Sequence, residues 1–323
     1  MSERNSSEVI KGLHGFEGSL STDMGKWFPG RKVVLRGKDL LHDLRDMRWM
    51  ELLLFGITGR NFSAEQIRLF EGIWSLSVSY PDPRIWPNRI AALAGTARST
   101  AALGVSSALA ISEGELFGHR SNIRTIDYLI RLGAELKAVN ALDWLDGLAL
   151  EKREPADGEG AEHYRLVGVE SKTGEGRGRI SEFAEFKVLE GLVLKELKTN
   201  RWIPGFGRPI ARTDERIVPL TDFAYGLGFG DGIHLKLAYA IEEVLRGSRY
   251  RAMRMNIGAL DAALSADQGL ESREYYWYFM LSFSAGMVPC FIDAERKDEG
   301  GFYPLRCDSL IYEGEEDRTW EGA

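Results

Sequence analysis

The chain has 323 residues, 44% of them hydrophobic and 28% charged, with a formal net charge of -7. This is the composition of an ordinary globular protein, long enough for one large core or two smaller ones. The negative balance excludes a general nucleic-acid binder, which needs clustered cations to displace counterions from phosphates, and no uninterrupted apolar stretch is long enough for a membrane helix.

Apolar residues at helical spacing predict a helix over residues 39–55, carried by Leu40, Leu41, Leu44, Met47, Met50 and Leu54. A second is expected over 64–79, with Ser63 as its cap and Glu65 in its first turn. Residues 88–112 are rich in Ala, Gly, Ser and Thr and read as one long helix buried among others. Helices at 122–132 and 135–150 continue the pattern. Residues 154–179 are polar and Gly-rich around a short apolar run at 164–169, which reads as a mobile insertion able to carry a hairpin. Helices are then expected at 181–198, 231–246, 257–266 and 272–287, and an extended tail at 302–312. No internal repeat, heptad seam or βαβ alternation is visible, so the expected class is all-α.

Polar residues concentrate in two places. His119, Arg120 and Asn122 sit at a Gly-containing turn where a helix begins, a natural oxyanion or phosphate site unless the His only caps the helix or faces solvent. Arg208, Arg212 and Arg216 surround Pro209 and Asp214; their guanidinium groups suit a carboxylate or phosphate, or else form salt bridges that pin the loop. Cys290 and Cys307 lack metal-ligand spacing and read as reduced thiols, and no metal site is expected. The opening Met-Ser-Glu-Arg lacks the apolar core of a signal peptide, so the expected compartment is the cytoplasm.

The segment Ile203-Pro-Gly-Phe-Gly-Arg-Pro-Ile-Ala-Arg-Thr-Asp-Glu-Arg216 resembles the citrate synthase family loop Pro-Gly-Phe-Gly-His followed by Asp-Pro-Arg. Four other segments fit in order. Val34-Leu-Arg-Gly-Lys-Asp-Leu-Leu resembles an early Tyr-Arg-Gly motif, and Gly114-Glu-Leu-Phe-Gly-His-Arg-Ser-Asn122 resembles Gly-Pro-Leu-His-Gly-Gly-Ala-Asn. Met255-Asn-Ile-Gly resembles Pro-Asn-Val-Asp, and Pro304-Leu-Arg-Cys with Tyr312-Glu-Gly resembles the closing Arg-Pro and Tyr-x-Gly.

The resemblance implies a citrate synthase-like fold: an N-terminal segment 1–31, a large helical domain over 32–204 and 288–323, and a small helical domain over 205–287. It also implies an intertwined homodimer, a coenzyme A thioester such as acetyl-CoA as co-substrate, and a carboxylated oxo-acid partner. In that family two His and one Asp carry the condensation; here those positions read Phe117, Arg208 and Gly258, and a further family Arg is matched by Phe283. An Arg in place of His exchanges a switchable acid for a permanent cation. The expected catalytic set is therefore His119, Arg208 and Asp261, with Arg216, Arg306, Asn122 and Arg212 binding substrate. The implied activity is acyl-CoA-dependent formation or cleavage of a carbon–carbon bond with an altered active site. The alternative is a catalytically silent relative that binds a CoA thioester or polycarboxylate, or that partners an active paralogue.

Overall fold

The computed structural model describes residues 21–77, 80–115, 118–153, 163–168, 180–208, 213–301, 306–316 and 318. The chain divides into two compact units between Ser63 and Ala64.

The first unit begins with an antiparallel meander of β1 (Gly25–Phe28), β2 (Lys32–Leu35) and β3 (Lys38–Asp39). Arg36 (φ 46°) and Gly37 (φ 80°) form the two-residue turn between β2 and β3, where positive φ at both positions matches the strand twist. The Arg36 guanidinium donates to the carbonyls of Gly56 and Ile57, each at 2.8 Å, and so closes the C-terminal end of α1 (Trp49–Thr58). The helix predicted over 39–55 thus starts ten residues late. Asp39 and Asp43 cause this, because their carboxylates take the backbone N–H groups of Leu41 and Asp39 and turn the chain before a helix can start.

The second unit contains α2 (Ala64–Ser77), α3 (Trp86–Thr96), α4 (Ala101–Ser112) and α5 (His119–Ala138). A hairpin of β4 (Leu148–Arg153) and β5 (His163–Gly168) follows, then α6 (Ala184–Asn200) and α7 (Ile217–Gly226). The series ends with α8 (Ile233–Arg246), α9 (Ile257–Asp267), α10 (Ser272–Phe279) and α11 (Ser284–Glu295). Helix α9 is the centre. Every residue from Ile257 to Ala266 is buried, and it packs on α5, α8, α2 and α7. Its alanines allow those approaches, and its last residue, Asp267, caps α8 by accepting from the N–H groups of His234 and Leu235.

Three sequence expectations need correction here. The helix expected over 88–112 is two helices, because Arg98 turns into the left-handed region (φ 57°) and Thr100 caps α4 by accepting from Leu103. The Arg98 guanidinium reaches the carbonyls of Glu295 and Lys297 at 2.5 and 2.7 Å, fastening the corner to the end of α11. The helices expected at 122–132 and 135–150 are one helix that ends at Ala138, Asn140 beyond it turning into the left-handed region (φ 53°), and residues 148–153 become a strand. That strand pairs with 163–168 in register Leu148↔Gly168 to Arg153↔His163, burying Leu148, Leu150, Tyr164 and Leu166. Only the second strand falls within 154–179, most of which lies outside the described residues; the first comes from the stretch expected to be helical. Residues 272–287 divide into α10 and the start of α11.

Candidate functional site

The Gly205 loop is held in place by its own backbone. Gly205 (φ 82°) brings its Cα so near α5 and α9 that a Cβ there would lie 2.6 Å from Thr125 Cγ2 and 2.8 Å from Ala259 Cβ. Its carbonyl accepts from Asn256 at 3.0 Å, the Gly207 N–H donates to the Arg254 carbonyl at 2.6 Å, and Phe206 bridges Met255. Asn256 then works twice: its Oδ1 caps α9 by accepting from Gly258, and its Nδ2 donates to the Gly207 carbonyl. The loop and the N-terminus of α9 are one unit.

Asp214 joins the arginines to that unit. Its Oδ2 accepts from the Ile257 N–H at 2.9 Å, and its two oxygens take Arg216 Nε and Nη2 at 2.8 Å each. Burial acts to raise the Asp214 pKa, but the Arg216 and Ile257 hydrogen bonds and the Arg208 charge hold it below the usual value. Arg208 Nη1 donates to the Thr213 carbonyl at 2.9 Å and to Glu215 at 2.8 Å, and lies 3.7 Å from Asp214. The Tyr80 hydroxyl donates to the other Glu215 oxygen at 2.5 Å, while Arg216 sits over the Tyr80 ring. Hydrogen bonds from Tyr80 and Arg208 draw the Glu215 carboxyl down to about 2; burial and the same bond push Tyr80 up to about 12. Two guanidinium groups therefore face two ionised carboxylates.

Asn122 lies in the first turn of α5, directed at α9, where its Oδ1 would be 2.8 Å from a Cβ on Gly258. The structure thus brings Asn122, Arg208, Arg216 and the backbone of Gly258 around the start of α9. His119 and Asp261 are closed inside the protein. The His119 ring is 2% exposed, stacked on Phe283 at 4.7 Å and edge-on to Phe279, and neither ring nitrogen has a hydrogen-bond partner among the described residues. Burial lowers its pKa to about 4, opposed by the nearby Met280 backbone, which lies outside good hydrogen-bond geometry, so the ring is neutral at physiological pH.

Asp261 is fully buried, its Oδ1 accepting from Ser77 at 2.7 Å and its Oδ2 without a hydrogen-bond partner among the described residues. Burial raises its pKa well above the usual value, against the Ser77 hydrogen bond and the Arg216 charge. Its carboxylate is directed at Ser77 at the end of α2. Arg306 is exposed and pairs with Asp308. Arg212 and Phe117 lie outside the described residues.

Sequence reasoning missed Tyr80, Ser77 and the part played by Glu215. The last had a signal: Glu215 stands where the resembling motif has Pro. Among the described residues no group of three or more His, Cys, Asp or Glu is arranged to hold a metal ion, and no helix is long and apolar enough to cross a membrane.

No protein-family model and no curated protein matches the chain. Solved structures do. Citryl-CoA lyase from Hydrogenobacter thermophilus aligns over 93% of this chain and 96% of its own, with a TM-score of 0.65 at 15% identity. ATP citrate lyase from Methanothrix soehngenii, in complex with citrate and coenzyme A, aligns over 97% of this chain but 44% of its own (TM-score 0.61, 16% identity). Citrate synthase from Thermotoga maritima MSB8 aligns over 85% of this chain and 60% of its own (TM-score 0.57, 17% identity). The chain has a mostly helical, citrate synthase-like fold, as its motifs imply.

Proposed function

We propose that this chain binds an acyl-CoA and a carboxylated partner and makes or breaks a carbon–carbon bond between them, through an active site altered from that of citrate synthase. The observation that carries the reading is the gathering of Arg208, Arg216 and Asn122 around the first turn of α9, within a citrate synthase-like fold. Arg216 and Arg208 orient the carboxylated partner and stabilise negative charge as it develops, a task that permanent cations perform without proton transfer. The solved relatives support the ligand classes: one holds citrate and coenzyme A. Residues 205–287 serve as the small lobe in this reading, and Arg212 joins the anion site.

The active form is a homodimer. Helix α4 supports this. It carries no charged residue, yet Ala101, Ala102, Leu103, Ser106, Ser107, Ala110 and Ile111 are exposed, with Leu103 at 63%. A charge-free helix with small residues four apart beside projecting Leu and Ile fits a second copy of itself. Arg306, exposed in the single chain, is the arginine that one protomer supplies to the other.

A second reading is a silent relative that binds the same ligands without turning them over. It is favoured by the closure of His119 and Asp261 inside the protein and by the absence of a side chain at Gly258. Thermal-shift titration with CoA, acetyl-CoA, oxaloacetate and citrate tests both, because a bound ligand raises the melting temperature. Stabilisation accompanied by deuterium exchange into acetyl-CoA supports the enzyme, and stabilisation without exchange supports the silent binder. No response to any of the four refutes both.

A further inference from the structure

We propose that Glu215 is a resident ligand of the arginine site, a carboxylate of the chain itself that occupies the seat of an incoming one and must leave before it binds. This rests on the anion-binding reading above. The two acids at the site are held very differently. Asp214 is sealed, with its carboxylate committed to Arg216 and to the first turn of α9. The Glu215 side chain is 61% exposed, and its carboxylate meets Arg208 and Tyr80 at the rim.

Charge balance gives the contact its effect. With Asp214 and Glu215 in place, the two guanidinium groups are matched one for one, and an external anion gains nothing from approaching. When Glu215 swings out, Arg208 Nη1 and the Tyr80 hydroxyl lose their shared acceptor together. Those two donors, one cationic and one neutral, fit a single carboxylate group. The exchange is feasible because the Glu215 side chain is 61% exposed, so its carboxylate can leave into solvent, where water rehydrates it. Asp214 stays bound to Arg216 throughout, so the site retains its shape while its net charge rises by one. The ligand it then admits is a small polycarboxylate, whose extra charge outcompetes the single carboxylate of Glu215.

The test is calorimetric titration of citrate into the full-length protein and its Glu215→Ala and Glu215→Gln variants, at low and at moderate salt. Both variants should bind at least tenfold more tightly than the native chain, with the gain shrinking as salt rises. Adding Arg208→Gln to Glu215→Ala should cancel the gain. Circular dichroism and melting temperature check that the variants fold, as expected for an exposed side chain. If Glu215→Ala binds citrate no better than the native chain, while Arg216→Gln loses binding, the anion site stands and Glu215 is not its occupant. If neither the native chain nor either Glu215 variant binds citrate, this proposal and the anion-binding reading both fall.

Discussion

Replacing His119 by Leu should alter how stability depends on pH much more than it alters stability at neutral pH. The imidazole falls from its ordinary 6.5 to about 4 because it is buried between aromatic rings. An unfolded chain takes up the proton near pH 6.5, whereas the folded chain refuses it until about 4. The native state therefore keeps its full contribution above 6.5 and loses it as pH falls toward 4. At about 1.4 kcal/mol per pH unit, the loss between 6.5 and 5 is about 2 kcal/mol.

Asp261, whose pKa is raised, acts in the opposite sense over the same range, so the quantity to measure is the difference between the two proteins. At pH 7.5 the variant gives up an aromatic stack and also removes two unpartnered ring nitrogens, which should leave it within about 1 kcal/mol of the native chain. Melting curves at half-unit steps from pH 7.5 to 5 should show the native chain losing roughly 4–8 °C relative to the variant. Two curves that stay parallel across that range refute a neutral, buried His119.

Asp214→Asn should destabilise by about 3 kcal/mol, because it leaves Arg216 half-buried without its counter-charge; chemical denaturation measures the loss, and citrate binding should weaken with it. Gly258→Ala should cost about 1–3 kcal/mol by pushing a methyl group against Asn122 Oδ1, and Asn122→Ala in the same chain should restore most of that. A double-mutant cycle on melting temperature reads the coupling, and an additive result rejects the contact. Leu103→Glu places a charge on the exposed, charge-free α4 and should convert a dimer to monomers by light scattering, with the helical content unchanged.

The parts of this protein that were legible in its sequence are the parts built from neighbours in the chain. The loop from Ile203 to Arg216 spells out its own glycine turns and its Asp214–Arg216 pair, and the buried stripe of α8 follows from helical spacing. What stayed hidden depends on residues far apart in the chain. Tyr80 meets Glu215 across 135 positions, and the corner at Arg98 exists because carbonyls 197 and 199 positions later accept its guanidinium. Local composition over 88–112 favours a continuous helix and contains nothing to announce those acceptors. His119 misled for a related reason. A His at a helix start signals chemistry only when its ring is accessible, and Phe279 and Phe283, from the distant α10–α11 junction, decide that it is not.

The fastening of the Arg98 corner to the end of α11 has a consequence for biogenesis. Helices α3 and α4 pack on α11, so their apolar surfaces acquire that cover only when α11 has left the ribosome. Until α11 is made, the nascent polypeptide carries apolar segments without that cover, the situation in which chaperones and premature association compete. A truncation just before α11 should accordingly yield inclusion bodies, even though Arg208, Asp214, Glu215 and Arg216 have all been made.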